Sequence, residues 1–309
     1  MLNEKIGAIF NNISAVIMGR DEQVLNIIKG VLAGGHILIN DVPGVGKTTL
    51  IKSLCKSIDL KCNRIQFTPD LLPTDILGVS IYNKTLENFE FKKGPIFCNM
   101  ILADEINRAS PKTQSALLQA MEEKCVSEGD FTYNLQEPFI VMATENPIDE
   151  EGTYSLPEAQ KDRFMISCKI GYPSPKNEVK ILYKYRTENP IDDINAVISG
   201  RDLMEMQREV RNVNVDSKVL SYIVYIVNAT RGNPYLRGGV SVRASMALMR
   251  VAQATAYING RNYVIPDDVK DNIDLVIKHR LILNVKAYND KVTPEIIIQD
   301  IINKVTPRV

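Results

Sequence analysis

The run Asp41-Val42-Pro43-Gly44-Val45-Gly46-Lys47-Thr48-Thr49 follows a short apolar stretch, His36 to Asn40, and opens an amphipathic one. That setting suits a loop whose backbone N–H groups wrap around phosphates at a helix N-terminus. Pro43, Gly44, Val45 and Gly46 would form the cradle with Thr49 beside it, Lys47 would reach the β- and γ-phosphates, and the Thr48 hydroxyl would ligate Mg²⁺. The strict pattern begins with a glycine, and Asp41 stands in that place. A phosphate loop alone only binds, so further groups are needed for hydrolysis. Met100 to Glu105 supplies a strand ending in two adjacent carboxylates. Asp104 can join the Mg²⁺ shell, while Glu105, pointing elsewhere, can orient and deprotonate an attacking water. A third apolar stretch ends at Thr144 to Pro147, where the neutral amide of Asn146 can reach the γ-phosphate or the water. Asn-Pro is also a common turn dipeptide, but the carboxyl edge of a sheet is where such folds bind ligands.

Positioning these groups takes a parallel sheet covered by helices, and the first half alternates short apolar runs with helical patterns in that way. His36–Asn40, Asn63–Phe67, Asn99–Asp104 and Pro138–Thr144 read as strands, the last three as central ones. Thr49–Ile58 reads as a helix with Leu50, Ile51, Leu54 and Ile58 on one face. Another starts at Ser110, an N-cap followed by Pro111, and runs to about Lys124. Ser80–Gly94 and Val126–Gln136 alternate around turn-forming centres and read as inserted β-hairpins. Beyond the proline-containing segment 171–178 the pattern is helical, over Val219–Arg231, Ser241–Gly260 and Ile265–Leu281. The expected division is an αβα core over 1–173 and a linker with a smaller all-α domain over 174–309.

Lysine plus arginine equals aspartate plus glutamate at 37 each, so no excess of positive charge marks a nucleic-acid partner. No apolar run is long enough to span a bilayer, and the N-terminus has no signal-peptide pattern; a cytoplasmic location without membrane insertion is expected. Five scattered cysteines fit neither a disulfide framework nor a zinc site, and buried free thiols are expected. His36 and His279, the two histidines, lie in apolar patterns and read as neither ligands nor bases.

Asn107–Lys124, the Ala143–Pro147 run and the stretch Glu151-Gly-Thr-Tyr-Ser-Leu-Pro-Glu-Ala-Gln-Lys-Asp-Arg-Phe164 together resemble the MoxR family of AAA+ ATPases, over about residues 18 to 260. The resemblance implies an AAA+ core with a helical lid, ATP and Mg²⁺ as ligands, and a homo-oligomeric ring, usually hexameric, with ATP between subunits. It implies that Arg163 is the arginine finger that enters a neighbour's site, and that Arg243 is a lid sensor contacting the phosphates, although Val242 replaces the usual preceding proline. Ile17, Met18 and Gly19 match the segment lining the adenine pocket. A guanidinium delivered to the γ-phosphate accelerates phosphoryl transfer by about 10³–10⁵, though a surface ion pair is the commonest fate of an arginine. Arg108 reads equally as a subunit-boundary residue or an exposed ion pair. The family's implied role is chaperone-like remodelling of a protein client, often with a von Willebrand factor A domain partner. A metal-chelatase motor subunit and a nucleic-acid-dependent motor are the alternatives; the acidic Ser127–Asp130 hairpin tip weighs against the latter.

Overall fold

In a computed structural model, residues 3–42, 44–146, 153–187 and 189–307 are described. Two helices, α1 (Glu4–Val16) and α2 (Asp21–Leu32), precede strand β1 (Ile37–Asn40) and the helix α3 (Lys47–Ser57). Then come β2 (Cys62–Gln66), the short α4 (Pro73–Leu77), a hairpin of β3 (Gly78–Asn83) and β4 (Asn88–Lys93), and β5 (Met100–Asp104). The helix α5 (Pro111–Glu123) leads to a second hairpin, β6 (Cys125–Glu128) and β7 (Phe131–Asn134), and on to β8 (Ile140–Glu145), α6 (Glu158–Lys161) and β9 (Ile166–Cys168).

Five strands form one sheet in the order β2-β5-β8-β1-β9, and every pair is parallel. The three inner strands are almost wholly buried because helices cover both faces, which is why their sequences are continuously apolar. The expectation that Asn63–Phe67 is a central strand is corrected. It forms the sheet edge, where only Ile65 of β2 is buried and Arg64 and Gln66 are exposed. Helix α5 begins as its sequence predicts: the Ser110 hydroxyl accepts from the Thr113 amide at 3.4 Å, and Pro111 takes the first helical position.

The remainder is helical: α7 (Pro175–Lys184), α8 (Gly200–Asn212), α9 (Ser217–Arg231), α10 (Val242–Ile258), α11 (Pro266–Lys270), α12 (Ile273–Ile277), α13 (Val285–Asn289) and α14 (Pro294–Lys304). The single helix expected over Ile265–Leu281 is broken at Asn272, whose buried amide donates to the Asp268 carbonyl and the Thr255 hydroxyl. One apolar cluster joins α1, α2 and α3 to helices α8 to α12 and α14; a second fills the opposite sheet face beneath α5 and the hairpins. All five cysteines are free; Cys55, Cys98 and Cys168 are buried as expected, whereas Cys62 and Cys125 are only half-buried beside the sheet edge and at the hairpin base. Among the described residues, no helix is long and apolar enough to cross a membrane.

Both hairpins stand out from the core with their ladders intact. Phe91 and Tyr133 stack at 4.4 Å between ring centroids and fasten one to the other. Ile81, Tyr82, Leu86, Phe89 and Phe131 remain exposed toward the tips.

Candidate functional site

Lys47 opens α3 directly beyond the carboxyl end of β1. Gly44 and Gly46 take φ of +83° and +88°, left-handed values that bend the loop back over the helix and that side chains disfavour. Pro43 lies outside the described residues. Val45 is buried, and Thr48 and Thr49 follow in the first helical turn. The Lys47 ammonium is buried within the cradle and donates to the Asp41 carbonyl at 2.6 Å. Burial lowers its pKa, while Asp104, Asp41 and Glu105 pull the other way. The site therefore holds a cation whose counter-charges come from both strand-end carboxylates.

Thr144 of β8 holds the carboxylate of Asp104 and the backbone of Glu105. Its hydroxyl donates to Asp104 Oδ1 at 2.8 Å and accepts from the Glu105 amide at 2.8 Å. Glu105 has φ of +56°, a left-handed backbone that turns its side chain away from that of Asp104. Two residues of the edge strand complete the arrangement. Arg64 forks onto Asp104 Oδ2 at 3.1 and 2.7 Å, and Gln66 donates to Glu105 Oε2 at 2.8 Å. Arg108 also pairs with Glu105, at 3.2 Å. Of the two sequence readings for Arg108, the ion pair is therefore formed, and it is formed with a site carboxylate. Arg64, Gln66 and Thr144 were missed by reading the sequence for motifs. The signal available was period-two alternation: Arg64 and Gln66 share one face of β2 and pair in register with Leu102 and Asp104.

Asn146 follows β8 and is buried; its amide and carbonyl both meet the Asn107 side chain. Pro147 and the Glu151–Gly152 start of the resemblance stretch lie outside the described residues. Magnesium takes oxygen ligands and keeps several waters. The Thr48 hydroxyl and one Asp104 oxygen suit that chemistry, and no denser cluster of His, Cys, Asp or Glu exists among the described residues.

Ile17 and Met18 lie on the approach to α2 beside the loop; Ile17 Cδ1 is 3.8 Å from where a side chain on Gly46 would begin. Gly19 packs so closely under Asn177 of α7 that a Cβ there would meet its amide nitrogen at 1.7 Å. An open cavity of about 600 Å³ is lined by Met18, Val179, Lys180, Tyr183 and Lys184.

Arg163 and Arg243 come together, away from this site. Arg163 Nε lies 3.0 Å from Glu122 Oε2, and Arg243 Nη2 lies 2.6 Å from Glu122 Oε1. Glu122 lies in the last turn of α5, next to Met121, whose carbonyl lies 3.2 Å from His36 Nε2; the His36 carbonyl accepts from the Met165 amide at 2.8 Å. Both arginines thus cluster at the amino end of β1, whereas Lys47 follows its carboxyl end, across a sheet roughly 13 Å tall for four residues. The sequence expectation for Arg243 is only that it contacts phosphates, without a choice of subunit. Helix α10 packs on α2 and α8, and Ser241 at its start bonds to Asp162, so within one chain Arg243 is turned from its own phosphate loop.

Residues 36–166 match the model of the ATPase family associated with various cellular activities (AAA), and residues 228–301 match the AAA lid domain. The chain is 46% identical to the uncharacterized protein YeaC of Bacillus subtilis, over 98% of this chain and 95% of that one. It is 41% identical to Chaperone MoxR1 of Mycobacterium tuberculosis, over 96% and 81%. A crystal structure from Cytophaga hutchinsonii superposes with a TM-score of 0.92 at 41% identity, covering 98% of this chain and 94% of that one.

Proposed function

The chain belongs to the MoxR family of AAA+ ATPases, and from that membership we propose that it hydrolyses ATP in the cytoplasm, at Mg²⁺-containing sites shared between subunits of a hexameric ring. Turnover then serves to remodel or assemble protein complexes, with a protein client or a von Willebrand factor A domain partner. Residues 1–173 form the nucleotide-binding core and 174–309 the linker and lid in this reading. The observation that supports it is the pairing of Arg163 and Arg243 on Glu122, near the amino end of β1 and so at the strand end opposite Lys47. Neither guanidinium can serve its own loop from there, but both can serve a copy docked against that end.

Each group then has one task. Backbone amides of Gly44, Val45 and Gly46 and the Lys47 ammonium hold the β- and γ-phosphates. Ile17, Met18 and Gly19 border the base, which fits the cavity between Met18 and Tyr183. Thr48 and Asp104 would hold Mg²⁺, whose charge would neutralise the phosphate oxygens. Glu105 takes the proton of the attacking water once Gln66 and Arg108 release it, and Asn146 orients that water or the γ-phosphate. Arg163 and Arg243 from the neighbour then meet the negative charge that develops on the transferred group.

The test is Mg²⁺-dependent phosphate release by the assembled protein and by Glu105→Gln. Loss of turnover with ATP binding retained is expected; a variant that still turns over at the wild-type rate would remove Glu105 from the reaction. The chelatase alternative shares the ring and the hairpins. The exposed apolar side chains on both hairpins suit a protein client better than a phosphate backbone.

A further inference from the structure

Asp41 stands where the phosphate-loop pattern has its first glycine, and the structure gives its carboxylate a defined set of partners. The side chain is buried. Oδ1 accepts from the Val42 amide at 2.9 Å; Oδ2 accepts from the amides of Ile170 and Gly171 at 2.7 and 2.6 Å. Those two residues follow β9 and begin the chain that runs through Gly171, at φ of +72°, into α7. Arg20 closes the arrangement from the base-side segment: its buried guanidinium donates to the Ile170 carbonyl at 3.1 Å and lies in the field of Asp41. Asp41 has no left-handed backbone, so nothing in its conformation asks for glycine.

We propose that Asp41 is a positioning residue that ties the phosphate loop to the connector between core and lid, so that filling the loop and moving α7 are a single event. The carbonyl of Asp41 holds the Lys47 ammonium, and the carboxylate of the same residue holds Ile170 and Gly171. When phosphate oxygens take over the Lys47 donors, the peptide at Asp41 loses its cation, and any resulting shift passes through a charge-assisted fork rather than through loose packing. The connector leads to Val179 and Tyr183, which line the base cavity, so both ends of a nucleotide act on one segment. A glycine in this position would build the loop without making this link.

The inference rests on the nucleotide-binding reading above, and one experiment separates the two. Binding of a fluorescent N-methylanthraniloyl ATP is measured alongside hydrogen exchange of the 170 and 171 amides, in the wild type, Asp41→Gly and Asp41→Asn, with melting followed by circular dichroism. In the wild type, nucleotide is expected to change exchange at both amides. In Asp41→Gly, affinity should stay within about threefold, the two amides should exchange at least about tenfold faster and no longer respond to nucleotide, and kcat should fall about tenfold at unchanged KM. Asp41→Asn, which keeps one acceptor oxygen, should retain part of the response. A wild type that fails to bind the probe overturns both readings. A wild type that binds it with no change at 170 and 171, or an Asp41→Gly variant that keeps the wild-type response, overturns only the coupling. Should Asp41→Gly fail to fold, the Asp41→Asn response decides alone: a full response contradicts the proposal and a reduced one supports it.

Discussion

Glu105 is held by two side chains, and in the proposed reaction how firmly they hold it sets how often it is free to act. Gln66 contributes one hydrogen bond to the carboxylate, worth about 0.5–1.5 kcal/mol net in a partly exposed setting. Gln66→Ala should therefore raise basal turnover about two- to tenfold, measured as phosphate release at saturating ATP. An unchanged or lowered rate would mean that Gln66 assists rather than restrains the base. Lys47, Thr48, Asp104 and Glu105 stand out in the sequence because the chemistry proposed for them depends on spacing along single segments. Arg64, Gln66 and Thr144 are not, since each meets its carboxylate across a strand boundary, through a sheet register that no local pattern encodes.

Elements were recovered where periodicity and caps agree, as in α5 with Ser110 and Pro111 and in both hairpins. They were misjudged where tertiary context prevails: β2 looks central because Ile65 and Phe67 are apolar, yet only one strand flanks it. His36 illustrates the same dependence on packing. Its Nδ1 accepts from the Val141 amide at 3.0 Å and its Nε2 faces the Met121 carbonyl, so a neutral ring joins β1, β8 and α5. Burial lowers its pKa from 6.5 to about 4. Between those values the unfolded chain binds a proton that folded His36 refuses, so stability falls as pH drops through that window. His279 is shifted in the same direction, by burial and then by Arg280. Denaturant titrations from pH 7 to 4.5 should show this loss, and His36→Gln should flatten the slope by at most about 1.4 kcal/mol per pH unit. An equal slope in the variant would show that His36 is not the group involved.

At the scale of the whole molecule, the proposed reading gives one chain two incomplete halves of a site. Its loop and carboxylates lie at the carboxyl ends of the strands, and its two arginines share Glu122 near the amino end of β1. A head-to-tail contact that closes into a ring would join the halves of successive copies. The family resemblance announced such a ring, but the placement of Arg243 beside Arg163 came only from the packing of α10, which no segment of sequence specifies alone. Complementation tests this arrangement most directly, using Lys47→Ala subunits, with arginines but no working loop, and Arg163→Ala subunits, with a loop but no finger. Each variant alone should be nearly inactive. Mixed in equal amounts and reassembled, they should regain up to about a quarter of the wild-type rate, since random order puts an intact loop against an intact finger at one junction in four. Wild-type turnover by Arg163→Ala alone, or no recovery in verified mixed rings, would contradict a pocket completed by the neighbouring copy.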